Sequence, residues 1–228
     1  MFLASNVSKD HFFDNIHPQP HLWTNLVKDV CSLININAQH IRPFSDGVNL
    51  VACVNDSLVV KIFPPFHLHQ WERDSHTLKH LQGRLSLSIP NFIASGELKN
   101  VWTYLVISKL EGASLENVWS GFSRENKLHI IRSIGKAMAE VHAVDVGELQ
   151  SLRPEWTHFM ASQALECKAR HEKKGMPRWF MEGLDSWANN SLELIENEPR
   201  RAILNRGVHT FQFARSAGRD RLSPVGND

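Results

Sequence analysis

Apolar residues recur at helical spacing over residues 21–33, where Leu22, Leu26, Val27 and Val30 share one face, and this pattern predicts a helix. From Ile41 the period shortens to that of extended chain. Residues 41–44, 50–54 and 58–63 read as strands, with Asn55-Asp56 as a turn pair between the second and the third. Pro64-Pro65 ends the third strand, and residues 68–81 read as a helix carrying Trp71, Glu72, Leu78 and Leu81. Residues 89–93 and 102–108 supply two further strands, with Gly96 and Lys99-Asn100 as the turn between them. The pattern is then helical from Ser114 almost to Pro199. Residues 127–142 place Leu128, Ile131, Ile134, Met138 and Val141 on one face, residues 156–171 follow, and residues 177–195 carry a buried stripe of Phe180, Leu184, Trp187 and Leu192. Pro177 suits the first turn of that last helix.

These elements predict an α+β chain of four segments. Residues 1–40 hold a loose arm, up to Pro20, and the first helix; residues 41–112 form a lobe of five antiparallel strands and one helix; residues 113–204 form an incomplete helical lobe; residues 205–228 have no sustained apolar period and read as coil. A sheet-rich lobe joined to a helical one by the short connector Lys109-Leu110-Glu111-Gly112 predicts a ligand cleft.

Composition narrows the function classes. With 42% hydrophobic residues the 228-residue chain can bury a real core, and a net charge of +1 from 25 basic and 24 acidic residues provides no global field to recruit nucleic acid or an anionic membrane. Cys31, Cys53 and Cys167 are odd in number and lack a CxxC pair, which fits reduced thiols in a cytosol. The N-terminal cluster Phe2-Leu3-Ala4 is broken by polar residues before a signal-peptide core forms, and no run approaches the roughly 18 apolar residues of a membrane span. A cytoplasmic protein is expected.

Chemistry concentrates around Lys61, a lysine inside an apolar strand, with Glu72 on the following helix. An ammonium held by a carboxylate places positive charge where transferred phosphates lie. Upstream, Gly47 and Asn49 fall in a turn between extended segments, suited to cover a nucleotide, although turn formation alone also explains them. Ser108, Lys109 and Leu110 lie where backbone groups would read adenine. Among 13 histidines, His67, His69, His76 and His80 crowd one stretch, but no HExxH surrounds them and a solvated helix face accounts for them, so no metal ligand is assigned.

Gly47-Val48-Asn49, Val60-Lys61, Glu72, Ile89-Pro90, Leu105-Val106-Ile107, Leu110-Glu111-Gly112 and the run from Ile134 to His142 jointly resemble the aminoglycoside phosphotransferase and choline-kinase-like enzymes, over residues 44–142. The resemblance implies a bilobal protein-kinase-like fold, ATP and Mg2+ as cofactors, and a small-molecule phosphate acceptor. It further implies that Lys61 binds the α and β phosphates, that Glu72 orients it, and that Ser108 to Leu110 receive adenine. The family's catalytic loop, an acid followed five positions on by an Asn, has no counterpart in the stretch from Ile203 to Gln212, and Pro224-Val225-Gly226-Asn227-Asp228 only distantly echoes its metal loop. No catalytic residue is assigned. A truncated chain, or a frame change near Asn205, would explain the mismatch, and transfer activity near background is expected. Two alternatives stay open: a nucleotide-binding or partner-binding pseudokinase, and a fragment without function.

Overall fold

The computed structural model describes residues 4–45, 47–152, 156–196, 203 and 214–215. They divide into two compact units, one reaching His142 and including Ala214 and Arg215, the other spanning Ala143–Ile203. The first unit is built on five antiparallel strands, β1 (Ile41–Pro43), β2 (Leu50–Val54), β3 (Leu58–Phe63), β4 (Phe92–Glu97) and β5 (Thr103–Ser108), in the order β1-β2-β3-β5-β4. The α+β class and the five-stranded sheet thus stand as read.

Strand alternation gives the sheet two different faces. Leu50, Ala52 and Val54, Val60 and Ile62, and Tyr104 and Val106 point one way, and with Trp102 just before β5 they form the core. Helix α2 (Pro20–Leu33) covers this face with Trp23, Leu26, Val27 and Val30, all buried. Pro20 opens the helix at a position where its missing N–H costs nothing, and Asn35, at φ 57°, turns the chain out of it after Leu33. Cys31 lies in this core, where burial raises its thiol pKa. The opposite face bears Val51, Lys61 and Leu105 in one row across β2, β3 and β5. Helix α3 (Leu68–Leu81) rests on this sheet through contacts with β3, β4 and β5.

Three local expectations are corrected. The N-terminal arm is not loose. Helix α1 (Lys9–His11), capped by the Ser8 hydroxyl, runs into a π-helical turn, Phe12–Ile16, and Phe12 and Ile16 are buried in the core. The Trp102 indole N–H donates to the Ala4 carbonyl at 3.1 Å, tying down the start of the segment. Polar residues between Val7, Phe12, Phe13 and Ile16 had masked this anchoring. The fourth strand starts at Phe92 and not at Ile89, because Pro90 has no N–H for a ladder and pairing with β5 begins where Asn91 bonds Ser108. Gly96 accordingly belongs to β4 and not to the turn: it faces Tyr104, and a Cβ there would lie 2.9 Å from the tyrosine Oη. The turn itself uses Asn100 and Val101, both at positive φ.

After β5, short β6 (Ala113–Ser114) pairs with β7 (Ala214–Arg215), so the two described residues of the tail are a strand and not coil; the rest of residues 205–228 lies outside the described residues. A single turn, α4 (Leu115–Val118), precedes α5 (Arg124–Ala143). Glu140 on α5 accepts both the backbone N–H of Ser86, at 2.9 Å, and its hydroxyl, at 2.5 Å. These bonds hold the carboxyl below its usual pKa range. Leu128 and Ile131 of the expected apolar face are exposed, while Ile134, Met138 and Val141 are half-buried.

The second unit is a helical hairpin of α6 (Trp156–Lys173) and α7 (Arg178–Glu196), joined through Gly175 at φ 70° and linked by Lys168 to Asp185 at 2.5 Å. Its buried residues on α7 are Met181, Leu184 and Ala188, at i, i+3 and i+7. Trp187, expected within that stripe, stands one position off it and is 65% exposed.

Since Tyr104 occupies the space above Gly96, Gly96→Val should destabilise the first unit by about 1–3 kcal/mol through overpacking. Urea unfolding of the variant against wild type measures this, and an unchanged midpoint would contradict it.

Candidate functional site

Lys61 lies at the middle of β3 on the face away from the α2 core, flanked by Val51 and Leu105. Both of its strand neighbours are apolar, so its ammonium is offered toward α3. What that helix presents depends on its docking. Trp71, Ser75, Leu78 and Leu81 lie at i, i+4, i+7 and i+10, with Ser75 and Leu81 buried. The Trp71 indole N–H donates to the Tyr104 carbonyl at 2.8 Å and pins the first turn of the helix to β5.

This docking brings Asp74 to Lys61. The Oδ2 of Asp74 is 2.5 Å from Nζ of Lys61, and the two side chains are 23% (Lys) and 31% (Asp) exposed, a partly desolvated pair. The ring of Phe63 lies 5.2 Å from the same ammonium. The expected Lys61–Glu72 pair is therefore corrected. Glu72 sits two residues before Asp74, about 200° away around the helix axis, and its carboxylate meets His69 at 3.2 Å. The missed signal was in the sequence: Asp74 is three residues after Trp71 and four before Leu78, on the stripe that must face the sheet.

The glycine turn leads into β2. Gly47 has φ +105°, which favours glycine, and a Cβ built there would meet nothing within 4 Å, so the turn backbone is open to approach. Asn49 is different. It is 3% exposed, and its Oδ1 accepts from His67 Nδ1 at 2.9 Å, so its amide oxygen is turned inward. His67 sits against the rings of Phe66 and Phe13, at 4.6 and 6.4 Å. Burial lowers its pKa from the ordinary 6.5, and the nearby Lys9 ammonium lowers it further.

At the end of β5, the Ser108 amide donates to the Asn91 carbonyl at 2.9 Å, its hydroxyl accepts from the Asn91 N–H at 2.8 Å, and the Lys109 amide donates to the Ser57 carbonyl at 2.8 Å. The first two amides of the Ser108–Lys109–Leu110 stretch are thus turned into the sheet. The Leu110 amide has no partner among the described residues. Among the described residues no three His, Cys, Asp or Glu side chains are grouped to hold a metal ion. No helix among the described residues is long and apolar enough to cross a membrane. The expected catalytic loop and metal loop lie outside the described residues, apart from Ile203.

No family model matches the sequence, and no curated protein does. Solved structures do. The GDP complex of wild-type aminoglycoside 2'-phosphotransferase-IIIa aligns with a TM-score of 0.53 and 17% identity, over 77% of this chain and 60% of that one. The GDP and kanamycin complex of APH(2")-IIia aligns with a TM-score of 0.55 and 16% identity, over 80% and 62%. ADP-bound APH(2'')-Ib aligns with a TM-score of 0.52 and 15% identity, over 74% and 58%. The fold is that of the aminoglycoside phosphotransferases. The chain spans about three fifths of the length of these phosphotransferases.

His67 gives the site a pH signature. Its folded pKa is depressed, so the unfolded chain binds more protons in the window below 6.5. The stability it contributes is complete above 6.5 and is lost as pH falls through the folded value. His67→Asn should therefore flatten the fall of the urea midpoint between about pH 7.5 and 5 relative to wild type; parallel profiles for the two proteins would contradict this.

Proposed function

We propose that this chain is an ATP-dependent small-molecule phosphotransferase of the kinase-like type whose transfer activity is near background, with the nucleotide held on the first unit by the face of the sheet that carries Lys61. The observation that carries the reading is the Lys61–Asp74 pair. A lysine on a central strand, desolvated on both sides by apolar neighbours and fixed by a carboxylate on the docked helix, has no structural need for its charge. Its ammonium has three N–H donors, and Asp74 takes one of them. The remaining donors suit the α and β phosphates of a nucleotide.

The other parts are arranged around that charge. The open backbone at Gly47 covers the phosphates, with Asn49 shaping the turn from inside. The connector of Ser108, Lys109 and Leu110 receives the adenine, and the Leu110 amide, which has no partner among the described residues, is the donor best suited to its edge. Asp74 takes the orienting role first expected of Glu72. ATP supplies the phosphoryl group when bound, and the chain contributes positioning and fixed positive charge. No residue is assigned to magnesium, to the acceptor or to proton transfer. Support comes from the fold shared with GDP-bound and ADP-bound phosphotransferases, one of which also holds kanamycin.

Thermal denaturation with and without ATP tests this reading. ATP at about 100 times its dissociation constant should stabilise the wild type by roughly 2.7 kcal/mol, a readily visible shift. Lys61→Ala should abolish the shift and Asp74→Asn should reduce it by at least half, whereas Glu72→Gln should retain it. A wild type that ATP does not stabilise, or an Asp74→Asn variant indistinguishable from it, would refute the assignment.

A further inference from the structure

His67 belongs to the histidine-rich stretch for which the nucleotide reading has no use, yet its side chain is built into the fold. It stands at the end of the turn Pro65–His67, directly before Leu68 opens α3, and its own amide is bonded to the Pro64 carbonyl at 2.8 Å. Its ring packs against those of Phe66 and Phe13, which limits its rotamers. From there Nδ1 reaches Asn49, a polar side chain only 3% exposed, next to the first residue of β2 and two residues after Gly47.

We propose that His67 is a positioning residue for the nucleotide turn: through Asn49 it ties the Gly47–Asn49 backbone to helix α3, so that the turn and the helix carrying Asp74 hold one fixed relation. The inference rests on the nucleotide reading above and adds a residue to it. One continuous line of bonds then runs from the turn through Asn49 and His67 into α3, and from Asp74 on that helix to the Lys61 ammonium. The two groups that face phosphate, the open turn and the ammonium, are set by the same helix. A residue that only filled space here would be replaceable by any ring of similar size. A tether needs a donor where Nδ1 stands, pointing at the Asn49 oxygen.

The substitutions that separate these roles are His67→Phe, which keeps the ring and removes the donor, and His67→Asn, whose amide nitrogen falls near the position of Nδ1. Two readouts are taken on the full chain: hydrogen exchange of the amides of Gly47, Val48 and Asn49, and ATP affinity by calorimetry. Loss of one neutral hydrogen bond should raise exchange in the turn roughly fivefold in His67→Phe and weaken ATP binding by a similar factor, with His67→Asn restoring most of both. If His67→Phe does not fold, His67→Gln replaces it, since its donor falls at the position of the other ring nitrogen. Unchanged exchange in the turn overturns the tether. Raised exchange with unchanged ATP affinity overturns the positioning role. A wild type that binds no ATP overturns the nucleotide reading itself, and this is seen before any variant is made.

Discussion

The docking of α3 on the sheet is the constraint on which the site depends, and one hydrogen bond fixes it. A carbonyl in the middle of a sheet has a second lone pair available to a donor from above, and the Trp71 indole takes that of Tyr104. An indole N–H cannot be left dry without cost, so the bond sets both the height and the rotation of the helix. Rotation decides which acid meets Lys61. Asp74 lies on the same side as Trp71 and Leu78, whereas Glu72 lies across the helix beside His69. The charge pair is thus a consequence of helix packing, and its identity follows from the apolar stripe.

The sheet separates stability from chemistry by its pleat. Every second residue of β2, β3 and β5 enters the core beneath α2, where Leu50, Ala52, Val54, Val60 and Ile62 are fully buried. The alternate residues include Lys61, which the ladder holds rigidly without exposing the core to its charge. The N-terminal segment reinforces the same arrangement from the core side, since Phe12 contacts Phe66 and Trp102 at 5.5 and 6.1 Å, and Phe66 adjoins His67.

How far the sequence announced this differs from element to element. The strands at 50–54 and 58–63 and the helix at 68–81 were legible because turn residues bracket strong periodicity. The same reading erred where tertiary context decides. Gly96 looked like a turn because nothing local reveals that Tyr104 covers it in place of a side chain. The π-helical turn at Phe12–Ile16 has a five-residue spacing that helical and strand templates both miss. In the site, Lys61 was visible from its apolar strand, but the choice between Glu72 and Asp74 required the helix to be turned until Trp71 faced inward. His67 was read as one member of a solvated cluster, because its partner Asn49 is distant in sequence and close only across the folded turn.

The order of strands bears on how the site forms in time. Strand β5 sits between β3 and β4, so the pair β3–β5, in which Phe63 lies opposite Thr103 and Lys61 opposite Leu105, encloses the whole segment that contains α3 and β4. That pairing must close a long loop before it gains any contact, whereas β2–β3 and β4–β5 join neighbours along the chain. Local hairpins are therefore expected to assemble early, and the β3–β5 seam late, with α3 already folded within the loop being closed. Lys61 would then acquire its neighbour Leu105 and its counter-ion Asp74 in the same late step, which makes the proposed nucleotide site one of the last parts of this unit to exist during folding.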